Sequence, residues 1–140
     1  MITLEQFKNI ARIDFDNDDD ELQLYLDGAI EYIENYTNYS LKEKTLTKVS
    51  NGCPIEFYGA PVINITGSDR VDNEDFSVLI YAKRGDTVTI ELGVNESPLL
   101  ESCVYSLALS MYETKEMYAI NLPVDLQFKI NKFRRDSFLD

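Results

Sequence analysis

Residues 3–37 read TLEQFKNIARIDFDNDDDELQLYLDGAIEYIENYT, and two apolar periods within this stretch set the expected fold class. The first runs through Leu4, Phe7, Ile10 and Ala11, the spacing of one helical face. Thr3 stands at the N-cap position and Gln6 follows three residues later, so a capping box starts a short helix at Leu4 that ends near Arg12. The second period, Leu22, Leu26, Ala29, Ile30 and Ile33, marks a longer amphipathic helix ending near Thr37–Asn38. Tyr25, Tyr32, Tyr36 and Tyr39 lie on or beside its edges. Between the two comes the acidic run Asp16-Asn17-Asp18-Asp19-Asp20-Glu21. Asp18 with Glu21 repeats the capping pattern, and carboxylates in a first turn complement the helix dipole.

C-terminal to these helices, residues 41–52 show no sustained period and read as a mixed-charge connector. Ile55–Tyr58 and Val62–Ile65 are short strand candidates around the turn Gly59-Ala60-Pro61, and residues 68–75 read as an exposed polar loop. Val78–Tyr81 and Thr87–Leu92 flank Lys83-Arg84-Gly85-Asp86, and the second segment alternates strictly, so the pair is expected to form a β-hairpin. Ser97 and Pro98 are the N-cap and first residue of a third helix, expected to run to about Met117. Its apolar face is Leu100, Val104, Leu107, Ala108, Met111 and Tyr112, with Cys103 beside it. Leu122-Pro123 breaks the pattern before a final short helix expected over Asp125–Phe133. The expected fold is α+β and mainly α: three to four helices packed as a bundle with an inserted β-hairpin or small antiparallel sheet. As domain organisation this gives a single domain over residues 1–140. Its helical core lies at 3–38 and 97–118, its β insertion at about 55–92 and a C-terminal docking arm at about 123–140.

A chain of 140 residues with 44% hydrophobic and 27% charged residues has the balance of one globular domain. Its net charge of −12 is unevenly placed. Residues 1–40 hold ten acids and two bases, whereas residues 120–140 hold three acids and four bases. Such a surface repels phosphate and argues against nucleic-acid binding, although a wall that DNA must slide past without sticking would also be acidic.

The chemistry-bearing residues point away from catalysis. There is no histidine, which removes the commonest general base and metal ligand, and no glycine-rich phosphate loop. Asp14, Asp16 and Asp18 have the spacing with which a calcium loop begins. Asp19 then stands where the turn glycine belongs and Tyr25 where the bidentate glutamate belongs, so the run reads as a solvated helix-capping joint. Arg84-Gly85-Asp86 spells an adhesion tripeptide but reads as a turn. Nine Tyr and seven Phe could stack bases, yet in an acidic background core and interface packing is the better account. Met1-Ile2-Thr3 leads straight into a polar helix, so no secretory leader is expected, and Cys53 and Cys103 are expected as buried free thiols. No run of about 18 apolar residues occurs, so no membrane span is expected. Neither catalytic nor metal residues are assigned, and no cofactor is expected. The one basic patch is C-terminal: Lys129, Lys132, Arg134 and Arg135 beside Phe133, Phe138 and Leu139. The patch reads equally as a solvated helix end with cations near the negative dipole pole or, given its apolar anchors, as a docking arm toward an acidic partner or neighbouring subunit.

Three stretches carry a family resemblance. They are Arg12-Ile13-Asp14 through Glu21-Leu22 to Ala29-Ile30-Glu31-Tyr32-Ile33 and Tyr36-Thr37; Pro61-Val62-Ile63-Asn64-Ile65; and Leu122-Pro123-Val124 with Asn131-Lys132-Phe133-Arg134. In this order they resemble the head–tail connector (adaptor) proteins of tailed phages. The resemblance implies a non-enzymatic virion part, made in the bacterial host cytoplasm and placed at the head–tail interface. It would form a ring of about a dozen copies beneath the portal, extending the DNA tunnel and supporting tail attachment. The implied partners are the portal protein, a tail-proximal stopper or tail-completion protein, and further copies of the chain, with genome DNA passing through unread and no membrane. In that setting Lys129, Lys132, Phe133, Arg134, Arg135 and Phe138 would grip the portal or a neighbouring subunit, and Asp16, Asp18, Asp19, Asp20 and Glu21 would supply an acidic tunnel or surface. Deleting residues 129–140 would then leave a folded monomer unable to join portal rings. The alternatives are an acidic, DNA-mimicking regulator of a basic partner and, more remotely, an enzyme built on paired carboxylates.

Overall fold

The computed structural model describes residues 2–115 and Ile130, which form two compact units. One comprises residues 2–37 and 96–115 with Ile130, and the other residues 38–95.

The first unit is helical. Helix α1 spans Leu4–Ala11, α2 spans Asp19–Thr37 and α3 spans Pro98–Thr114, each packed against the other two. Thr3 caps α1 as its sequence suggests, its side chain accepting from the Gln6 N–H at 3.2 Å. The other half of the capping box is redirected: Tyr105 of α3 accepts from the Thr3 N–H at 3.3 Å and donates to Gln6 Oε1 at 2.9 Å. The start of α1 is thereby bonded to the middle of α3. Phe7, Leu22, Leu26, Ala29, Ile33, Leu100, Val104, Leu107, Ala108, Met111 and Ile130 are buried, the burial that offsets the cost of ordering three helices. Ile10, assigned to the buried face of α1 by its spacing, is 57% exposed. An eight-residue helix has room for only one fully buried anchor here, Phe7. Both α1 and α3 are closed by a left-handed residue that is not glycine, Arg12 and Lys115 respectively.

The second unit is entirely β. Strands β1 (Lys44–Val49), β6 (Thr87–Leu92) and β3 (Val62–Thr66) make one antiparallel sheet in the order β1-β6-β3. Strands β2 (Ile55–Phe57), β5 (Val78–Tyr81) and β4 (Arg70–Asn73) make another in the order β2-β5-β4. One apolar core serves both sheets: Phe57, Val78, Ile80, Ala82, Val88, Ile90 and Leu92, with Leu46, Ile55, Val62 and Ile65 packed around it. The incoming and outgoing segments of the unit are tied together, Asn95 N–H donating to the Ser40 carbonyl at 2.8 Å.

The expected mainly helical bundle with an inserted hairpin is therefore wrong. Among the described residues there are three helices and two three-stranded antiparallel sheets. The segments of the expected hairpin are strands, but they do not pair. Each of β5 and β6 is the middle strand of its own sheet, with both edges filled by other strands. The turn between them bonds to Ser50 instead: Gly85 N–H donates to the Ser50 carbonyl, Ser50 N–H to the Asp86 carbonyl, and Ser50 Oγ to the Ala82 carbonyl. A two-stranded hairpin alone is marginal in water, whereas stacking two sheets buries the alternate residues of both strands against each other. Residues 41–52 and 68–75, read as connector and loop, contain β1 and β4. Cys103 is buried as expected, but Cys53 is exposed in a turn where its N–H donates to Asn51 Oδ1. The expected helix over Asp125–Phe133 and the 123–140 arm lie outside the described residues, Ile130 excepted.

Candidate functional site

The acidic run leads from α1 into the first turn of α2 and carries a network of charged and polar contacts. Lys8, on the last turn of α1, reaches across it: Nζ lies 2.6 Å from Asp16 Oδ1 and 2.7 Å from Asp19 Oδ1. Asp18 Oδ2 accepts from the Tyr112 hydroxyl at 2.9 Å. Glu21 Oε1 accepts from the Tyr25 hydroxyl and from Lys115 Nζ, each at 3.1 Å. Lys115 Nζ also sits 4.0 Å from the centre of the Tyr112 ring, and Tyr112 meets Tyr25 edge to face at 6.4 Å. Asp18 and Glu21, expected as a helix cap, also make bonds that reach the end of α3. The sequence reads as a solvated joint; the structure shows a clasp. Five carboxylates (Asp16, Asp18, Asp19, Asp20, Glu21) face two ammonium groups, so the clasp stays net negative. The distant partners, Tyr112 and Lys115, were not legible because nothing in the sequence sets the end of α3 beside the start of α2.

The clasp shifts its own titrations. The hydrogen bond from Lys8 holds Asp16 below its ordinary 3.8, and Asp16, then Asp19, raise Lys8 above 10.5. Glu21 raises Lys115 in the same way. Burial, then Glu21, raises Tyr25 above 10.0, and the hydrogen bond to Asp18, then burial, raises Tyr112. A depressed carboxylate stabilises the fold above its ordinary value and loses that contribution as pH falls through the lowered one. The raised lysines and tyrosines contribute below their ordinary values and lose it as pH rises through the raised ones. We expect the melting temperature followed by circular dichroism to hold a plateau near neutrality. It should fall both below about pH 4 and above about pH 10. Lys8→Met should remove the Asp16 part of the acid arm, and an unchanged acid arm would exclude this coupling.

The outer face of α2 holds a second feature. Tyr32 and Tyr36 stack with ring centres 6.3 Å apart and planes 8° from parallel. Glu31 and Asn35 line the same open groove beside them. Asp20 and Glu31 lie about 16 Å apart along the helix. Of the docking residues expected from sequence, Lys129, Lys132, Phe133, Arg134, Arg135 and Phe138 all lie outside the described residues. Ile130, within that segment, is fully buried in the helical unit.

A family model described as "Phage gp6-like head-tail connector protein" matches residues 1–134. Three solved structures share the fold. A chain in the virion of a native gene transfer agent (GTA) particle aligns with a TM-score of 0.74 at 20% identity, covering 99% of this chain and 91% of that one. A chain in the neck of the empty GTA particle, computed with C6 symmetry, gives 0.69 at 20% identity, with 99% and 91% covered. A chain in the neck of the native particle, computed with C12 symmetry, gives 0.66 at 19% identity, with 97% and 90% covered. No curated protein matches the chain.

Proposed function

The chain belongs to the phage gp6-like head–tail connector family, and from that membership we propose a ring-forming part that joins portal to tail. Its role is structural and its place is the head–tail interface of a virion. The observation that carries the proposal is the family match over residues 1–134. The twelvefold and sixfold symmetry of the necks that contain chains of similar fold is the support for a ring of about a dozen copies.

In this reading the ring sits beneath the portal, extends the DNA tunnel and receives a stopper or tail-completion protein. The role asks for no catalysis, and we assign none. A net charge of −12 per copy, repeated around a ring, suits a passage that must not hold phosphate. Asp16, Asp18, Asp19, Asp20 and Glu21 are our candidates for that wall. The clasp gives this assignment a mechanical side: Lys8 and Lys115 hold Asp16, Asp19 and Glu21 in place while leaving the sign negative.

Lys129, Lys132, Phe133, Arg134, Arg135 and Phe138 remain the proposed grip on the portal or a neighbour. The burial of Ile130 changes how that is tested. Deleting residues 129–140 removes a core residue, and losing a buried isoleucine side chain costs about 2–5 kcal/mol. We expect that truncation to melt well below the full chain, contrary to the intact monomer expected from sequence. Deleting 134–140 instead should keep the full melting temperature and abolish co-sedimentation with portal particles. A 134–140 deletion that still co-sediments at full occupancy would show that Arg134, Arg135 and Phe138 grip nothing.

A further inference from the structure

The groove on α2 has the make-up of an arginine site, and we propose that it receives Arg134 or Arg135 of a second copy of this chain. The inference rests on the ring reading above. A guanidinium is planar, stacks on aromatic faces and forks onto a carboxylate. The groove offers two parallel tyrosine rings, the Glu31 carboxylate and the Asn35 carboxamide together. Elsewhere the same chain already uses this combination. Arg70 lies 4.8 Å from the centre of the Tyr81 ring while its Nε and Nη2 bond both oxygens of Asp72, at 3.1 and 2.5 Å.

Charge and composition select the occupant. Of the five arginines, only Arg134 and Arg135 are adjacent, and they sit in the one stretch whose net charge is positive. The groove stands in the most acidic part of the chain, where residues 1–40 hold ten acids and two bases. Groove and tail are different segments of one chain. A contact between them across copies is heterologous, and a heterologous contact that closes makes a ring.

Charge exchange tests this between copies. Glu31→Arg alone and the double variant Arg134→Glu/Arg135→Glu alone should each cap portal particles at least about tenfold less than the wild type, with melting temperatures unchanged. An equal mixture of the two should recover caps, since every groove then meets a tail of opposite sign on a neighbouring copy. Contact within one copy cannot be rescued this way. Rescue failure, or Glu31→Arg capping portals like the wild type, overturns the proposal. If arginines gripping the portal were the cause, the tail variant would fail and the mixture would not help. A portal-free measurement separates this from the ring reading: a synthetic peptide of residues 129–140 is titrated into the full chain to millimolar concentration and followed by NMR. The Tyr32 and Tyr36 ring signals should shift, and should not in Glu31→Arg. No shift refutes the groove whether or not portals are capped. A shift without caps refutes the ring reading alone.

Discussion

Ile90→Ala is expected to lower the stability of the β unit by about 2–5 kcal/mol, the range for truncating a fully buried aliphatic side chain. Ile90 is fully buried on β6, the strand flanked on both sides by β1 and β3, and it lies opposite Leu46 and Ile65. The cavity would open where the two sheets share their core, and neither sheet can collapse into it without breaking ladder pairs. Against a total stability of about 5–15 kcal/mol for a domain, that is a large fraction. Ile63→Ala is the control. Ile63 sits where the register with β6 shifts, is 65% exposed, and should change stability by no more than about 0.5 kcal/mol. Urea denaturation of the pair is the measurement. Equal midpoints would mean that Ile90 is not in a shared core.

Gly67→Ala should be comparably damaging for a different reason. Gly67 follows β3 with φ +82, and a Cβ placed there lies 2.2 Å from the carbonyl oxygen of Thr87 at the start of β6. A backbone carbonyl cannot rotate aside as a side chain can. The substitution must displace the Thr66–Thr89 pairing at the end of the sheet. Left-handed strain costs about 1–2 kcal/mol and forced overpacking about 1–3 more. Gly85→Ala separates the two contributions. Gly85 has φ +89, but a Cβ at that position would meet no atom within 4 Å, so only the conformational part should appear. Urea midpoints should rank wild type, then Gly85→Ala, then Gly67→Ala, and equal losses for the two variants would mean that the clash is relieved cheaply.

Local elements were legible from sequence where one residue pattern sufficed. The Thr3 cap and Pro98 in the first turn mark the starts of α1 and α3, although Ser97 makes no side-chain cap bond to α3, and the Leu22-to-Ile33 stripe fixes the buried face of α2. Strand pairing was not legible, because alternation in Thr87–Leu92 shows that one face is buried and not which strand lies alongside. Strand β1 was missed because Leu46 is its one residue packed on the core, between Thr45 and Thr47 that face out. β4 was missed because Arg-Val-Asp-Asn is polar; its place is held by pairing with β5 and by Arg70 over Tyr81. The acidic run was legible in charge and not in contacts. Its cross-links come from Lys8, Tyr112 and Lys115, the last two more than ninety residues away in sequence.

In our proposal the acidic N-terminal third has two tasks in one assembly, a negative wall at the clasp and a seat for a neighbour's cations at the groove. Both depend on the chain forming a closed ring on a portal. Negative-stain imaging and averaging of the purified chain mixed with its portal tests that most directly. The expected image has an added ring-shaped layer, coaxial with the portal channel and of about twelve copies. Portal particles unchanged in outline at saturating chain would contradict it.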